Sequence, residues 1–278
     1  MRAKGSIILL LIICLNQFSH AQNSFQVIVK GKGSPVLLFP GIGCSGEVWN
    51  ETVEELSKTH ECHVFTFAGF GGVPAIEGAW LSTIKKDIVG YVKEKQLNKP
   101  ALLGHSLGGT LSLWLASTDG NLFSQAIIVD ALPSMAALMI PGYQGKLIEY
   151  ENPQNKMMLT MDAAAFSAMN SKTVEFMCLT PQKHSQILSW LNKADRKTYV
   201  YGYVDLLNLD LRESIAQITI PVSILAATYP DRQTVEKNYR IQYQQIPTAD
   251  LQFAENSAHF IMYDQPEWFI DQLITRLR

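Results

Sequence analysis

Charged residues are scarce in this chain of 278 residues, where Asp, Glu, Lys and Arg together make up 17% of the sequence. Soluble domains usually carry roughly 25%. Hydrophobic residues account for 47% and the formal net charge is −2, so the composition excludes an intrinsically disordered chain. Lys and Arg total 23 against 25 acidic residues and form no basic run. This balance argues against a surface that binds nucleic acid through its phosphates.

Cysteine is also rare, with four residues in the whole chain. That number is too small for a fold that is held together by disulfide bonds. The length fits one large α/β domain or two smaller domains, and either can bury a complete hydrophobic core.

The first 21 residues have the pattern of a cleavable secretory signal peptide. Arg2 and Lys4 supply a basic start, residues 7–15 form a nearly unbroken apolar run, and Ser19-His20-Ala21 places small residues at the ends of a tripeptide. We therefore expect cleavage after Ala21 and a secreted or periplasmic protein that begins at Gln22. Loss of the two basic residues leaves 21 bases against 25 acids, a formal net charge of −4.

An uncleaved membrane anchor is the weaker interpretation of this segment. Its apolar run is about half as long as a membrane-spanning helix, which needs ~20 residues. We therefore expect no stable insertion into a membrane after cleavage. Leu11-Ile12-Ile13-Cys14 resembles a lipoprotein signal, but Ile13 stands where a small residue is required, so the lipidation of Cys14 stays open.

From Phe25 onward, short apolar runs alternate with segments of helical spacing. Buried strands that are separated by helices predict a mostly parallel sheet with helices on both faces, which is an α/β fold. The predicted strands are Phe25–Lys30, Ser34–Phe39, Cys62–Phe67, Ala101–Gly104, Ala126–Val129, Val222–Ala226 and Leu251–Ala254.

The alternation stops after Leu132. Residues 133–215 carry helical stretches and no convincing strand, and they hold seven of the nine methionines. We therefore interpret the chain as one α/β domain, formed by residues 22–132 and 216–278, with residues 133–215 as a helical insertion. This organisation includes no internal repeat.

Gly104-His105-Ser106-Leu107-Gly108-Gly109 is the sharpest local motif. It follows a predicted buried strand and opens a predicted helix. Small residues two positions before and two positions after Ser106 allow a tight strand-to-helix turn that exposes the serine hydroxyl. The turn also directs this hydroxyl at a helix N-terminus, where backbone N–H groups stabilise negative charge. The motif predicts that Ser106 is a nucleophile.

A serine nucleophile needs a base, and His259 is the best candidate among the six histidines. It lies in Ala258-His259-Phe260, directly after the last predicted strand, and the carboxyl ends of parallel strands are where such sites form. The other histidines lie in the signal peptide, in the insertion, in the serine motif or at the remote end of the sheet. His60 and His63 are three residues apart rather than the four of the zinc-binding helix motif, so we expect no metal site.

The base needs a carboxylate that fixes its tautomer and stabilises its charged form. We favour Asp231, which follows the strand Val222–Ala226 and precedes His259 by 28 residues. Asp130, at the end of the strand before the insertion, is the alternative acid.

Acyl transfer develops negative charge on an oxygen, which two backbone N–H groups can stabilise. Leu107, directly after the serine, supplies one of these groups in our prediction. Ile42 supplies the other, from the loop Pro40-Gly41-Ile42-Gly43-Cys44, whose glycines allow the backbone to approach the substrate closely.

The order Ser106, Asp231, His259, together with the serine motif and the glycine loop, resembles the α/β-hydrolase superfamily from about Phe25 to the C-terminus. The resemblance implies an α/β-hydrolase fold in which the insertion forms a helical cap, or lid, over the active site. It also places Cys44 near that site and Cys62 at the opposite end of a strand. A strand spans roughly 17–20 Å, whereas a disulfide needs Cα atoms within about 7 Å, so we expect no bridge between them.

The resemblance implies a serine hydrolase, most simply one that cleaves a carboxylic ester through an acyl-enzyme. Relatives that hydrolyse epoxides or haloalkanes use an aspartate nucleophile, which Ser106 argues against. Lactone, amide or carbon–carbon bond hydrolysis and acyl transfer use the same three residues and stay open, as does a non-catalytic binding protein. We expect no metal or organic cofactor and no nucleic-acid partner.

The methionines of the insertion suggest the kind of substrate. Methionine side chains adapt to irregular apolar shapes. We therefore consider that they line a pocket for an apolar acyl or aryl group of a small molecule, or that they fill the core of the cap itself. The residues in question are Met135, Met139, Met157, Met158 and Met161.

Overall fold

The computed structural model describes residues 24–278, so the predicted signal peptide lies outside the described residues. In the described part, seven strands form one sheet in the order β1-β3-β2-β4-β5-β6-β7. The strands are β1 (Phe25–Lys30), β2 (Ser34–Phe39), β3 (His60–Phe67), β4 (Ala101–His105), β5 (Ala126–Val129), β6 (Val222–Ala227) and β7 (Asp250–Ala254).

Strand β1 pairs antiparallel with β3, and every other pair in the sheet is parallel. The burial of the strands explains this arrangement. All residues of β4, β5 and β6 are buried, because helices cover both faces of the sheet centre and make uninterrupted apolar runs favourable. Strand β1 lies at the edge and exposes most of its residues.

Helices α1 (Asn50–Leu56) and α11 (Pro266–Arg276) pack on one face of the sheet, and helices α2 (Trp80–Glu94) and α3 (Leu107–Asp119) pack on the other. In α2, Leu81, Ile84, Ile88 and Val92 recur at helical spacing and are buried in the core. Outside the insertion, the α-helices are α1 (Asn50–Leu56), α2 (Trp80–Glu94), α3 (Leu107–Asp119), α9 (Arg232–Gln242), α10 (Ile261–Asp264) and α11 (Pro266–Arg276). The predicted α/β-hydrolase fold is therefore confirmed.

Between β5 and β6, the regular elements of the described chain are all helical. The α-helices of this stretch are α4 (Met135–Met139), α5 (Pro153–Thr160), α6 (Ala163–Met177), α7 (His184–Lys193) and α8 (Arg196–Asn208). These helices and their connections contact the rest of the described chain, which we call the sheet domain. Trp190 Nε1 donates to Glu47 at 3.0 Å, and the Asp195 N–H donates to the Gly69 carbonyl at 2.8 Å. We refer to these five helices and their connections as the cap.

Within residues 24–278, we find no helix whose length and apolar character together would allow it to span a membrane.

Candidate active site

Ser106 lies between β4 and α3. Its backbone has φ +54° and ψ −120°, a conformation that residues other than glycine rarely adopt. Such strain persists only where the surroundings enforce it and is common at functional sites. The Ser106 N–H donates to the Val129 carbonyl at 2.9 Å, and the Ser106 carbonyl accepts from Gly109 and Thr110 at 2.8 and 3.0 Å. Backbone bonds to β5 and α3 therefore hold the turn on both sides.

The glycines around Ser106 are required by close backbone contacts. A Cβ at Gly104 would lie 2.1 Å from the Gly108 carbonyl oxygen, and a Cβ at Gly108 would lie 2.4 Å from the Phe39 carbonyl oxygen. A Cβ at Gly109 would lie 2.6 Å from Ala131 Cβ. The helix can approach the sheet this closely, and so present Ser106 at its N-terminus, because these positions lack side chains.

His259 follows β7, as predicted, and its Nδ1 donates to Asp130 Oδ2 at 2.6 Å. Asp130 follows β5, and both side chains are 15% exposed. A carboxylate at Nδ1 leaves Nε2 as the nitrogen that can accept a proton. In the described residues no hydrogen bond links Nε2 to the Ser106 hydroxyl, although both side chains line the same cavity; such bonds often form only when a substrate is bound.

Three donors surround the Asp130 carboxylate. Besides His259, the Ala227 N–H donates to Oδ1 at 2.9 Å and the Tyr239 hydroxyl donates to Oδ1 at 2.8 Å. Burial by itself raises the pKa of this carboxyl group, but these hydrogen bonds and the nearby His259 outweigh it and hold the pKa below its usual value. Asp130 is therefore an anion at neutral pH, in position to stabilise a protonated His259.

The prediction that Asp231 orients His259 is wrong, and the alternative, Asp130, occupies that position. Asp231 is exposed and is the N-cap residue of α9, where its Oδ2 accepts from the Thr234 N–H at 2.8 Å. This bond satisfies one of the free N–H groups at the helix start, which is a common role of aspartate. The carboxylate of Asp231 is thus engaged by its own helix.

The predicted oxyanion donors, Ile42 and Leu107, both lie at the cavity or beside it. Ile42 lines the cavity in a turn that is closed by the Cys44 N–H and the Gly41 carbonyl at 3.2 Å. Leu107 is the first residue of α3, so its N–H has no acceptor within the helix. In the part of the chain that the structure describes, neither N–H donates a hydrogen bond, and their binding of a substrate oxygen stays a prediction.

The cavity at Ser106 is small and mostly apolar. Its volume is about 40 Å³. The sheet domain contributes Ser106, His259 and the Ile42 loop, while the cap contributes apolar side chains. The cap residues at the cavity are Thr173, Val174, Met177, Ile187, Leu191 and Tyr199.

The five methionines singled out in the sequence do not line this cavity. Met139 and Met157 are each 54% exposed, and Met135 packs against the core of the sheet domain. The methionine at the cavity is Met177, the last residue of α6. The apolar pocket is thus formed mainly by branched and aromatic side chains of α6, α7 and α8.

The three cysteines of the described residues are buried free thiols. Cys44 lies at the cavity, but burial raises its pKa to about 12, so it stays a neutral thiol. Cys62 lies near the start of β3, opposite Val36 of β2. Residues 24–278 contain no group of three or more His, Cys, Asp or Glu side chains that could hold a metal ion.

Sequence reasoning missed the contribution of His105, which precedes the serine. Its Nε2 donates to the His259 carbonyl at 3.0 Å, and its ring centroid lies 4.5 Å from that of His259. Burial, followed by the neighbouring His259, lowers the pKa of His105 to about 3, so its ring is neutral. Only its place inside the serine motif could have indicated this contact.

Comparison with known proteins agrees with this architecture. Residues 36–272 match the model of the alpha/beta hydrolase family. The pimeloyl-[acyl-carrier protein] methyl ester esterase of Aliivibrio fischeri (strain MJ11) is 24% identical over 258 residues, covering 89% of this chain and 95% of the relative.

Two solved structures share the fold. The enol-lactonase of Burkholderia xenovorans LB400 matches with a TM-score of 0.78 and 16% identity, covering 91% of this chain and 96% of that chain. An esterase from Exiguobacterium antarcticum has the same TM-score and 18% identity, covering 91% and 95%.

Proposed function

Because the chain belongs to the alpha/beta hydrolase family, we propose that it is a serine hydrolase that cleaves a carboxylic ester. The observation that carries the proposal is the His259–Asp130 pair at the cavity of the strained Ser106. The choice of an ester is supported by the relatives, whose printed names describe methyl ester esterases. Lactone, amide and other acyl chemistry would use the same residues.

In the first half-reaction, Ser106 Oγ attacks the acyl carbonyl while His259 Nε2 takes its proton. Asp130 accepts the hydrogen bond from Nδ1 and stabilises the resulting imidazolium. The carbonyl oxygen becomes negatively charged and is bound by the Ile42 and Leu107 N–H groups. His259 then gives its proton to the departing alcohol, which leaves an acyl group on Ser106.

In the second half-reaction, water attacks the acyl-enzyme and His259 takes its proton. The same oxyanion donors hold the second tetrahedral intermediate. Collapse of this intermediate returns the proton to Ser106 and releases the carboxylic acid. Apart from the substrate and this water, each step uses only groups of the chain itself.

We propose that the acyl group is short and apolar. The cap side chains leave little space beside Ser106, and the cavity surface is mostly apolar. A pocket of this kind favours small apolar groups, because they fill it without leaving buried polar atoms unpaired.

A fluorophosphonate probe tests the proposal, because it reacts with an activated serine. The folded wild-type protein should become labelled, and Ser106→Ala should not. Ser82→Ala, which removes an exposed serine of α2, serves as the matched control and should be labelled like the wild type. A folded wild-type protein that resists the probe would instead be a binding protein on this fold.

We also propose that the protein is exported and cleaved after Ala21. The support is the sequence pattern of residues 1–21, a basic start followed by an apolar run and small residues. N-terminal sequencing of protein from the periplasm or the medium should find Gln22 first. An intact N-terminus on active protein that is confined to the cytoplasm would contradict the proposal.

A further inference from the structure

The loop that carries His259 is held at three consecutive residues. The Ala258 N–H donates to Asp264 Oδ2 at 2.9 Å, and the His259 carbonyl accepts from His105 Nε2 at 3.0 Å. The Phe260 N–H donates to the Met177 carbonyl at 3.1 Å. His105 belongs to the serine turn and Met177 belongs to the cap, so this loop is bound to both sides of the cavity.

Asp264 contacts the cap with its other carboxylate oxygen. Oδ1 accepts from the Leu179 N–H at 2.9 Å and from the Thr180 hydroxyl at 2.9 Å. Leu179 and Thr180 lie just after α6, in the connection to α7. One carboxylate therefore joins the cap segment 177–180 to the residue that precedes His259.

This cap segment also forms part of the cavity wall. Met177 lines the cavity and, through its carbonyl, holds Phe260. The His184 ring binds the Cys178 carbonyl at 2.7 Å, so the segment is fixed from within the cap as well. A shift of residues 177–180 would move the wall of the cavity and both neighbours of His259 together.

We propose that Asp264 is a positioning residue for His259, and that it sets the position of this base relative to the cap. The inference rests on the proposed function, in which His259 is the base. Asp264 touches neither Ser106 nor the His259 ring in the hydrogen bonds of the described residues; it acts through Ala258 on one side and through Leu179 and Thr180 on the other. The cap thereby contributes to catalysis as well as to the shape of the cavity.

The chemistry of the partners explains why an aspartate is suited to this place. The Ala258 and Leu179 groups are both N–H donors, and a carboxylate accepts on both of its oxygens. An asparagine of the same shape offers one accepting oxygen and one NH₂ group. In Asp264→Asn the NH₂ group therefore faces an N–H donor, either that of Ala258 in the loop or that of Leu179 in the cap. The hydrogen bond to that donor is lost.

The first experiment compares Asp264→Asn with Asp271→Asn, the same change at an exposed aspartate of α11. We expect Asp264→Asn to lower kcat for a short-chain ester about 10-fold or more, since a hydrogen bond to a charged group is lost and the base is displaced. KM should change less than about threefold. Asp271→Asn should keep both values, and a role limited to stability would lower the melting temperature without this split.

A second pair of variants tests the cap side of the link with less risk to folding. Thr180→Val removes the hydroxyl, which contacts both Asp264 Oδ1 and the Tyr263 carbonyl, and keeps the shape of the side chain. Thr180→Ser keeps the hydroxyl. We expect a loss of kcat in Thr180→Val, smaller than that in Asp264→Asn, and its recovery in Thr180→Ser.

Labelling with a fluorophosphonate separates the possible failures. Equal labelling rates in the wild type and in folded Asp264→Asn would overturn this inference and leave the proposed function intact. An equal loss of kcat in both Thr180 variants would also overturn it. A wild-type protein that is not labelled at all would overturn the proposed function, and the role of Asp264 with it.

Discussion

Two aspartates compete for the role of the acid, and their local sequences do not separate them. Asp130 follows β5 and Asp231 follows β6, so each comes after the carboxyl end of a neighbouring strand. The donors that select Asp130 are the Ala227 N–H and the Tyr239 hydroxyl, about 100 residues away in sequence. Contacts of this range depend on how β6 and α9 pack beside β5, and the spacing of motifs in the sequence does not show them.

One local signal did favour a different role for Asp231. An aspartate directly before a helix, with Thr234 three residues later, has the spacing of an N-cap residue. The structure uses Asp231 in this way. Capping chemistry could therefore have counted against it as the acid before any tertiary contact was known.

Asp130→Asn and Asp231→Asn form a matched pair, because each change neutralises one carboxylate without altering its size. We expect Asp130→Asn to lower kcat about 10³–10⁴-fold, since an amide neither fixes the tautomer of His259 nor stabilises its charge. Asp231→Asn should stay within about twofold of the wild type, because asparagine also caps helices well. Steady-state kinetics with a chromogenic acetyl ester measures both, and a severe loss in Asp231→Asn would restore the sequence-based assignment.

The buried His105 predicts how stability changes with pH. Its pKa is lowered to about 3 in the folded protein from an ordinary 6.5, by burial first and by His259 second, while Asp130 acts in the opposite direction. Between these two pH values the unfolded chain binds a proton that the folded chain does not. The free energy of unfolding should therefore decrease as pH falls from 6.5 toward 3.

Urea unfolding at several pH values checks this prediction, with His105→Gln as the comparison. Glutamine keeps an N–H donor for the His259 carbonyl and does not titrate. The free energy of unfolding of the wild type should fall faster with decreasing pH than that of His105→Gln, by up to about 1.4 kcal/mol per pH unit. Parallel curves for the two proteins would show that His105 takes up its proton at the same pH in the folded and the unfolded state, and would contradict the lowered pKa.

At the level of elements, the sequence predicts the strands and the serine turn correctly, because the pattern that identifies each of them lies in its own residues. The seven strands agree with the predicted runs within two residues, because the strands at the sheet centre must be apolar on both faces. The serine turn was predictable for a similar reason. Its glycines are dictated by contacts between neighbours in sequence, such as Gly104 and the Gly108 carbonyl, and by the β2 backbone beside them.

Alanine substitutions at the glycines of the serine turn should lower the free energy of unfolding, whereas the same substitution at a glycine outside the turn should not. Gly104→Ala and Gly108→Ala place a Cβ within 2.1 and 2.4 Å of a backbone oxygen, and backbone cannot move away cheaply. We expect each to lower the free energy of unfolding by about 3 kcal/mol or more. Gly90→Ala is the control, in an exposed position of α2 with nothing within 4 Å.

The control has an expected direction of its own. Alanine is a better helix former than glycine, so Gly90→Ala should raise the free energy of unfolding by about 0.5–1 kcal/mol. Thermal or urea unfolding of the three variants gives all the values. Similar stability of the wild type and Gly104→Ala would mean that the turn is looser than the contacts around it indicate.

For the molecule as a whole, the cap was the least predictable part. Helical spacing predicts that residues 133–215 form helices, but the face that each helix turns toward the cavity depends on packing between elements far apart in sequence. Leu191 and Tyr199, for example, pack directly on Gly43, where a Cβ would lie 2.7 Å from Leu191 Cδ2 and 3.0 Å from the Tyr199 ring. Methionine content alone therefore pointed to Met139 and Met157, which are exposed, rather than to Met177.

Because the cavity is shared between the sheet domain and the cap, the preferred acyl length is set by both. The small cavity beside Ser106 predicts that kcat/KM is highest for acetyl or propionyl esters and falls about 10-fold or more by octanoyl. Met177→Ala removes part of the cap wall and should raise kcat/KM for octanoyl relative to acetyl by about 10-fold. Met157→Ala makes the same change at an exposed position and should leave the profile unchanged. A flat profile in the wild type, or equal shifts in the two variants, would show that the cap does not limit acyl length.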